Sequence, residues 1–279
     1  VMVRLLSLLI KMPEIGKYVV PIVPDEARTF GMDGLFKVAG IYAPEGQNYQ
    51  PVDADTLMPY REAADGQILQ EGICETGAMA SFMAAGSAYA VHGLPMIPFY
   101  IFYSMFGFQR VGDMIWSCGD MMCRGFLLGG TAGRTTLNGE GLQHEDGHSL
   151  VLASSVPNLL TYDPAFGYEL TVIVREGIRR MYEQQEDLFY YITLYNENYA
   201  HPGLIETDQT LDDIDEDVIQ GILRGGYCFE RQLTDLKRPS VHLLASGSIM
   251  QQAINAKEML AALEINVCLW SITSFVELE

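Results

Sequence analysis

The sequence predicts a parallel α/β fold, on three observations. Short runs of apolar, β-branched and aromatic residues recur along the chain. Segments with helical patterning separate them. The strand-like runs are apolar throughout instead of alternating, as strands covered on both faces by helices require. A sheet of this kind places its functional residues in the loops at the carboxyl ends of its strands.

Val19–Val23 (VVPIV) is the first expected strand, followed by residues 96–103, Leu159–Tyr162 and residues 188–194. Residues 76–91, rich in alanine and methionine, predict a helix. So do residues 166–183, an amphipathic segment with Arg179 and Arg180 near its end. A second α/β unit is expected from Arg238, with strand and turn at 240–248, helix at 249–263 and strand at 265–272. The expected division is a first domain over 1–199, an acidic connector over 200–237 and a second unit over 238–279. The connector carries Pro202, Gly203 and the run Asp212, Asp213, Asp215, Glu216 and Asp217. Because the chain opens on Val1 and stops inside an α/β unit, it reads as a piece of a longer protein with a truncated second domain.

At 279 residues and 49% hydrophobic, the chain can bury a full core. The formal net charge of −19 disfavours nucleic acid and anionic membrane surfaces as partners. Cys74, Cys118, Cys123, Cys228 and Cys268 form an odd set without a dense framework, which points to a reducing cytoplasm. The longest apolar stretch, 94–108, is broken by Pro95, Pro98, Ser104 and Gly107 and is too short to span a bilayer. Lys11 and Pro13 follow the first apolar run without a secretory cleavage pattern.

Residues 135–149 (TTLNGEGLQHEDGHS) gather two of the chain's five histidines among three glycines and three acids. His144-Glu145-Asp146-Gly147-His148 satisfies H-E-x-x-H, the helical zinc-hydrolase pattern. The glycines at 139, 141 and 147 oppose the helix it needs, since each costs roughly 1 kcal/mol against alanine. The segment therefore reads as a loop that brings Glu140 and His144 to a site, with no metal assigned. Residues 129–135 resemble in part a phosphate-binding glycine loop but lack its lysine, and read as a tight turn after a strand. Asp25 and Glu26 are adjacent acids directly after the first strand. Glu75 stands where an apolar run gives way to a nearly uncharged helix, a place for a partly buried carboxylate that holds or shares a proton.

Gly72-Ile73-x-Glu75-x-x-x-Met79 resembles the cofactor-activating glutamate motif of transketolase-like thiamine diphosphate enzymes. Residues 24–36 (PDEARTFGMDGLF), 67–79 (QILQEGICETGAM), 95–110 (PMIPFYIFYSMFGFQR), 133–149 and 190–199 (YYITLYNENY) resemble the decarboxylating component of bacterial pyruvate dehydrogenase complexes, of the homodimeric type. The match runs in the family's order over nearly the whole chain. It implies a pyrimidine-binding middle domain followed by the start of a C-terminal domain.

The resemblance also implies roles. A glutamate at Glu75 hydrogen-bonds a ring nitrogen of the cofactor's aminopyrimidine and so activates the cofactor. Ile73 supports the cofactor's bent shape, and Tyr103 and Phe106 line the pyrimidine pocket. Glu140 and His144 reach the reacting centre, where a histidine orients a carboxylate or transfers a proton. Asp25 and Glu26 match an acidic pair beside it. Implied partners are pyruvate, a dihydrolipoyl acetyltransferase and a second copy of the complete protein. One departure is that the family's magnesium and diphosphate motif, Gly-Asp-Gly with a later asparagine, has no counterpart. Gly112-Asp113-Met114 and Gly119-Asp120-Met121 do not match it. Magnesium is therefore assigned to an N-terminal domain outside this sequence. The alternatives are another transketolase-like enzyme, a zinc hydrolase built on HEDGH, or a non-catalytic dimerisation module.

Overall fold

The computed structural model describes residues 1–24, 27–133, 141–201, 211–232 and 237–278. The first elements are helix α1 (Met2–Ile10), strands β1 (Val19–Val23), β2 (Ile41–Tyr42), β3 (Glu62–Ala63) and β4 (Leu69–Gln70), and helix α2 (Glu75–His92). Strand β5 (Ile97–Tyr103), helix α3 (Ser104–Asp120), strand β6 (Phe126–Gly130), helix α4 (Ser149–Ala153) and strand β7 (Leu159–Tyr162) follow. Helix α5 (Gly167–Ile178) leads to strand β8 (Phe189–Thr193). The last elements are helix α6 (Glu216–Leu223), strands β9 (Gly226–Gln232) and β10 (Ser240–Ala245), helix α7 (Met250–Ala262) and strand β11 (Asn266–Ile272).

Six strands form one sheet in the order β4-β1-β5-β6-β8-β7, parallel at every pairing. Its central strands are buried on both faces, which is why they read as continuous apolar runs. Helix α3 carries the chain from β5 outward to β6, whereas α5 carries it back from the edge strand β7 to β8. With right-handed crossovers, α5 lies on the opposite face from α2 and α3. Accordingly α2 packs on α3, and α1 packs on α5. The strand order reverses between β6 and β8, the place where sheets of this kind open a crevice.

The end of one central strand and the whole of one central helix differ from the sequence expectation. Residues 129–130, read as part of a turn, lie inside β6. Gly129 is needed there because a Cβ would sit 2.2 Å from the Tyr191 hydroxyl. Helix α3 starts on Ser104 directly after β5, and its backbone departs from helical values at Val111 (φ −129, ψ 17). That break, with Gly107, Gly112 and Gly119 inside the helix, hides its periodicity.

The second sheet has the order β10-β11-β9, with β10 parallel and β9 antiparallel to β11. Helix α7 packs on β10 and β11. The stretch read as an acidic connector thus holds both α6 and β9. Part of its acidic run starts a helix: the Asp215 side chain accepts from the Asp217 N–H at 2.9 Å, as an N-cap does. Strand β9 escapes a local reading because its partner β11 lies about forty residues further on. Among the described residues no helix is long and apolar enough to cross a membrane.

The two units meet at the β7–α5 loop. The Asp163 N–H donates to the Thr273 carbonyl at 2.7 Å, and its carboxylate accepts from Thr193 and Tyr195, each at 2.5 Å. Ala165, Phe166, Ala245, Met250 and Leu269 form a small core there.

Candidate functional site

Helix α2 begins at Glu75, and Cys74 caps it in extended conformation with its Sγ accepting from the Gly77 N–H at 3.4 Å. A carboxylate in the first turn is stabilised by the positive end of the helix. The Glu75 side chain is only 12% exposed, and its Oε1 pairs with the Arg110 guanidinium on α3. Arg110 lies one turn after Phe106, with its guanidinium carbon 4.2 Å from the ring centroid. Beneath them the Tyr100 hydroxyl donates to the Glu75 carbonyl at 3.3 Å. Burial, and then the charge of Glu75, pushes the Tyr100 phenol well above its ordinary value.

Tyr103 ends β5, and its ring packs on Phe106 at 5.4 Å, on Phe30 at 5.0 Å and on His144 at 4.7 Å. His144 also faces Phe106 at 6.0 Å. The structure therefore joins Glu75, Phe106, Tyr103 and His144 in one chain of contacts through Arg110. Ile73 stands two residues before Glu75 and is 70% exposed. Glu140, Asp25 and Glu26 lie outside the described residues. Arg110 received no role from the sequence, because its spacing from Phe106 has meaning only once α3 is known to be a helix.

The HEDGH run does not form the helix that zinc binding requires. A 3-10 turn covers Leu142–His144, Glu145 is extended, and α4 begins only at Ser149. Asp146 instead caps α4, accepting from the His148 and Ser149 N–H groups, each at 3.0 Å. Burial alone would raise the Asp146 carboxyl, but hydrogen bonds from the Ser149 hydroxyl and these two amides hold it below its ordinary value.

Two open cavities, of about 430 and 330 Å³, lie at the switch point near Thr131 and Thr193. Glu75, Tyr103, Phe106 and His144 line neither of them. In the contact chain around Glu75, Tyr103, Phe106 and His144 are partly buried and the Arg110 side chain is half exposed.

Residues 1–202 match the family model described as the pyruvate dehydrogenase E1 component middle domain. Residues 225–279 match the transketolase-like C-terminal domain, a match that begins just before β9. Over 99% of its length the chain is 54% identical to the pyruvate dehydrogenase E1 component of Pseudomonas aeruginosa. The figures for the proteins of that name from Cupriavidus necator and Escherichia coli K12 are 53% and 50%, again over 99% of the chain. The chain spans about 30% of the length of these relatives. Among solved structures, transketolase from Campylobacter jejuni is similar at a TM-score of 0.69 and 17% identity, covering 99% of this chain and 35% of that one. Transketolase from Leishmania mexicana gives 0.68 and 15%, covering 99% and 34%. At such identities the likeness speaks for the fold alone. The identity to the E1 components and the match over 1–202 together mean that the chain belongs to the pyruvate dehydrogenase E1 component middle-domain family.

Proposed function

We propose that the protein acts as part of a pyruvate dehydrogenase, decarboxylating pyruvate with thiamine diphosphate and passing the two-carbon unit to the lipoyl group of a dihydrolipoyl acetyltransferase. The observation that carries this reading is Glu75, a recessed carboxylate at a helix start beside the aromatic wall of Tyr103 and Phe106. These residues fit the aminopyrimidine half of the cofactor, a flat, hydrogen-bonding ring. Arg110 engages Oε1 of Glu75, and Oε2 is left for a ring nitrogen. When bound, thiamine diphosphate supplies a thiazolium carbon able to add to a 2-oxo acid and take up the electron pair left by carbon dioxide.

This chain's residues do the rest. Glu75 holds a proton against the pyrimidine nitrogen, Tyr103 and Phe106 bound the ring, and Ile73 supports the bent cofactor. His144, held against those aromatic rings, orients the substrate carboxylate or moves a proton. Asp25, Glu26 and Glu140 add acidic groups near the reacting centre. Magnesium and the diphosphate are assigned to a segment outside this sequence. Both Gly-Asp pairs here lie within α3 and not in a loop. A homodimer in the cytoplasm completes the proposal.

The test is an assay of the complete protein with cofactor and magnesium on pyruvate and on ketose phosphates. Release of carbon dioxide from pyruvate alone, with acetyl transfer to a lipoyl domain, is expected. Ketol transfer between sugar phosphates without decarboxylation would assign transketolase chemistry instead.

A further inference from the structure

His148 is the member of the HEDGH run that the functional reading leaves unused. Its Nε2 lies 2.9 Å from the Met105 carbonyl in the first turn of α3, so the ring N–H donates into that helix. The Gln109 side-chain nitrogen lies 3.1 Å from the same nitrogen; being itself a donor, it forms no hydrogen bond with the ring N–H that the Met105 carbonyl takes. The other ring nitrogen, Nδ1, stands 3.7 Å from Asp146 Oδ1. Asp146 is itself anchored, because its N–H donates to the Gly133 carbonyl at 3.0 Å and its carboxylate caps α4.

The segment that leads to them is built of exposed or partly buried residues and short turns. Gly141 is exposed, Leu142 is 76% exposed, and the turn hydrogen bonds His144 N–H to Gly141 and Glu145 N–H to Leu142 are internal to the loop. Glycines at 141 and 147 raise the entropy lost when such a loop is ordered. A tether at its carboxyl end therefore restrains where His144 sits on the aromatic pair. Met105, which His148 grips, directly precedes Phe106, which His144 faces.

We propose that His148 is a positioning residue: its ring N–H to the Met105 carbonyl fixes the 141–148 loop on α3 and holds His144 against Tyr103 and Phe106. The catalytic consequence rests on the function proposed above, whereas the tether does not. Two variants separate the hydrogen bond from bulk. His148→Leu keeps bulk and cannot donate, and His148→Gln keeps an N–H able to reach the same carbonyl.

The first readout is the imidazole NMR spectrum of this chain. Ring currents from Tyr103 and Phe106 displace the His144 ring protons from the position of an exposed histidine. His148→Leu should return them towards that position and speed amide exchange over 141–148, while His148→Gln should preserve both. Unmoved His144 signals in the leucine variant, or equal loss in both variants, would overturn the tether. If the leucine variant does not fold, displaced His144 signals in a folded glutamine variant overturn it as well. In the complete enzyme, His148→Leu should lower kcat on pyruvate by roughly tenfold to a hundredfold through misplacement, with KM for cofactor little changed and glutamine restoring turnover. A lost tether with full turnover would uphold the positioning and remove the role given to His144.

Discussion

Oε1 of Glu169 accepts a hydrogen bond from the Ser271 hydroxyl at 2.7 Å, joining α5 to a strand 102 residues further along the chain. The same oxygen takes the Tyr227 hydroxyl at 2.8 Å, and Oε2 takes the backbone N–H groups of Ala165 at 2.6 Å and Phe166 at 3.0 Å. One fully buried carboxylate thus caps its own helix and fastens the second sheet to the first.

Burial pushes the Glu169 carboxyl above its ordinary value, and hydrogen bonds from Ser271, Tyr227, Phe166 and Ala165 offset this only in part. A folded-state value above the unfolded one means that the contribution to stability is complete at acid pH. It is lost as pH rises through the raised value. Glu169→Gln puts an amide donor against backbone donors, so it should cost about 2 kcal/mol. The gap between wild type and variant should be widest below the ordinary glutamate range and narrow as pH rises through the raised value. Denaturant unfolding across that range is the measurement, and a gap that stays flat contradicts the assignment.

Glu75→Gln keeps the size of the side chain and removes the carboxylate proposed to share a proton with the cofactor. In the complete enzyme, pyruvate turnover should fall by roughly a hundredfold to ten-thousandfold, the usual worth of positioned acid–base groups. Stability should change by less than about 1 kcal/mol, because Arg110 is half exposed. Near wild-type turnover would remove Glu75 from the mechanism.

Where sequence and structure agree, the signal was local. All five residues of β1 are buried and its sequence is VVPIV, while the alanines of α2 mark a helix whose bounds fall within one residue of expectation. The end of strand β6 was read as a turn because Gly129 and Gly130 sit against the Tyr191 and Phe30 rings, a tertiary demand that looks like a turn in one dimension. Arg110 stayed hidden for the same reason one level up, since its partner Glu75 is 35 residues away. Tyr103 and Phe106 were named through family resemblance, whereas His144 was named from its glycine-loosened segment and took only its role from the resemblance. No periodicity in 135–149 could have put an imidazole on an aromatic strand end.

The long loop over 45–61 is folded around Asp53, which accepts from the Tyr60 N–H at 3.1 Å and pairs with Arg28. Arg28 also donates to the Met58 carbonyl at 3.0 Å. Yet Val52 and Leu57 are left almost entirely in water. Apolar tips on a loop anchored to Arg28, which follows Glu26 by two residues in sequence, suit a segment that closes over the proposed site. Hydrogen exchange on the complete enzyme should slow over this loop when thiamine diphosphate is added, and less so in Asp53→Ala. Unchanged exchange in the wild type would rule out the lid.

This chain alone should bind thiamine diphosphate weakly. Most of the cofactor's charge lies on its diphosphate, and the sequence has neither the Gly-Asp-Gly motif nor a positive field, carrying a net charge of −19. Arg110, the cation beside Glu75, is already paired. What remains is one charge-assisted hydrogen bond, contributing roughly 1.5 to 3 kcal/mol, and packing on Tyr103 and Phe106. Together these do not outweigh the several kcal/mol of freedom lost on association. Calorimetric titration with magnesium should therefore show nothing tighter than about millimolar. On the proposed division of the site, supplying the Gly-Asp-Gly domain that the resemblance implies in trans should restore affinity. Micromolar, magnesium-dependent binding by this chain alone would mean that its own residues hold the diphosphate, and the division of the site between two domains would be wrong.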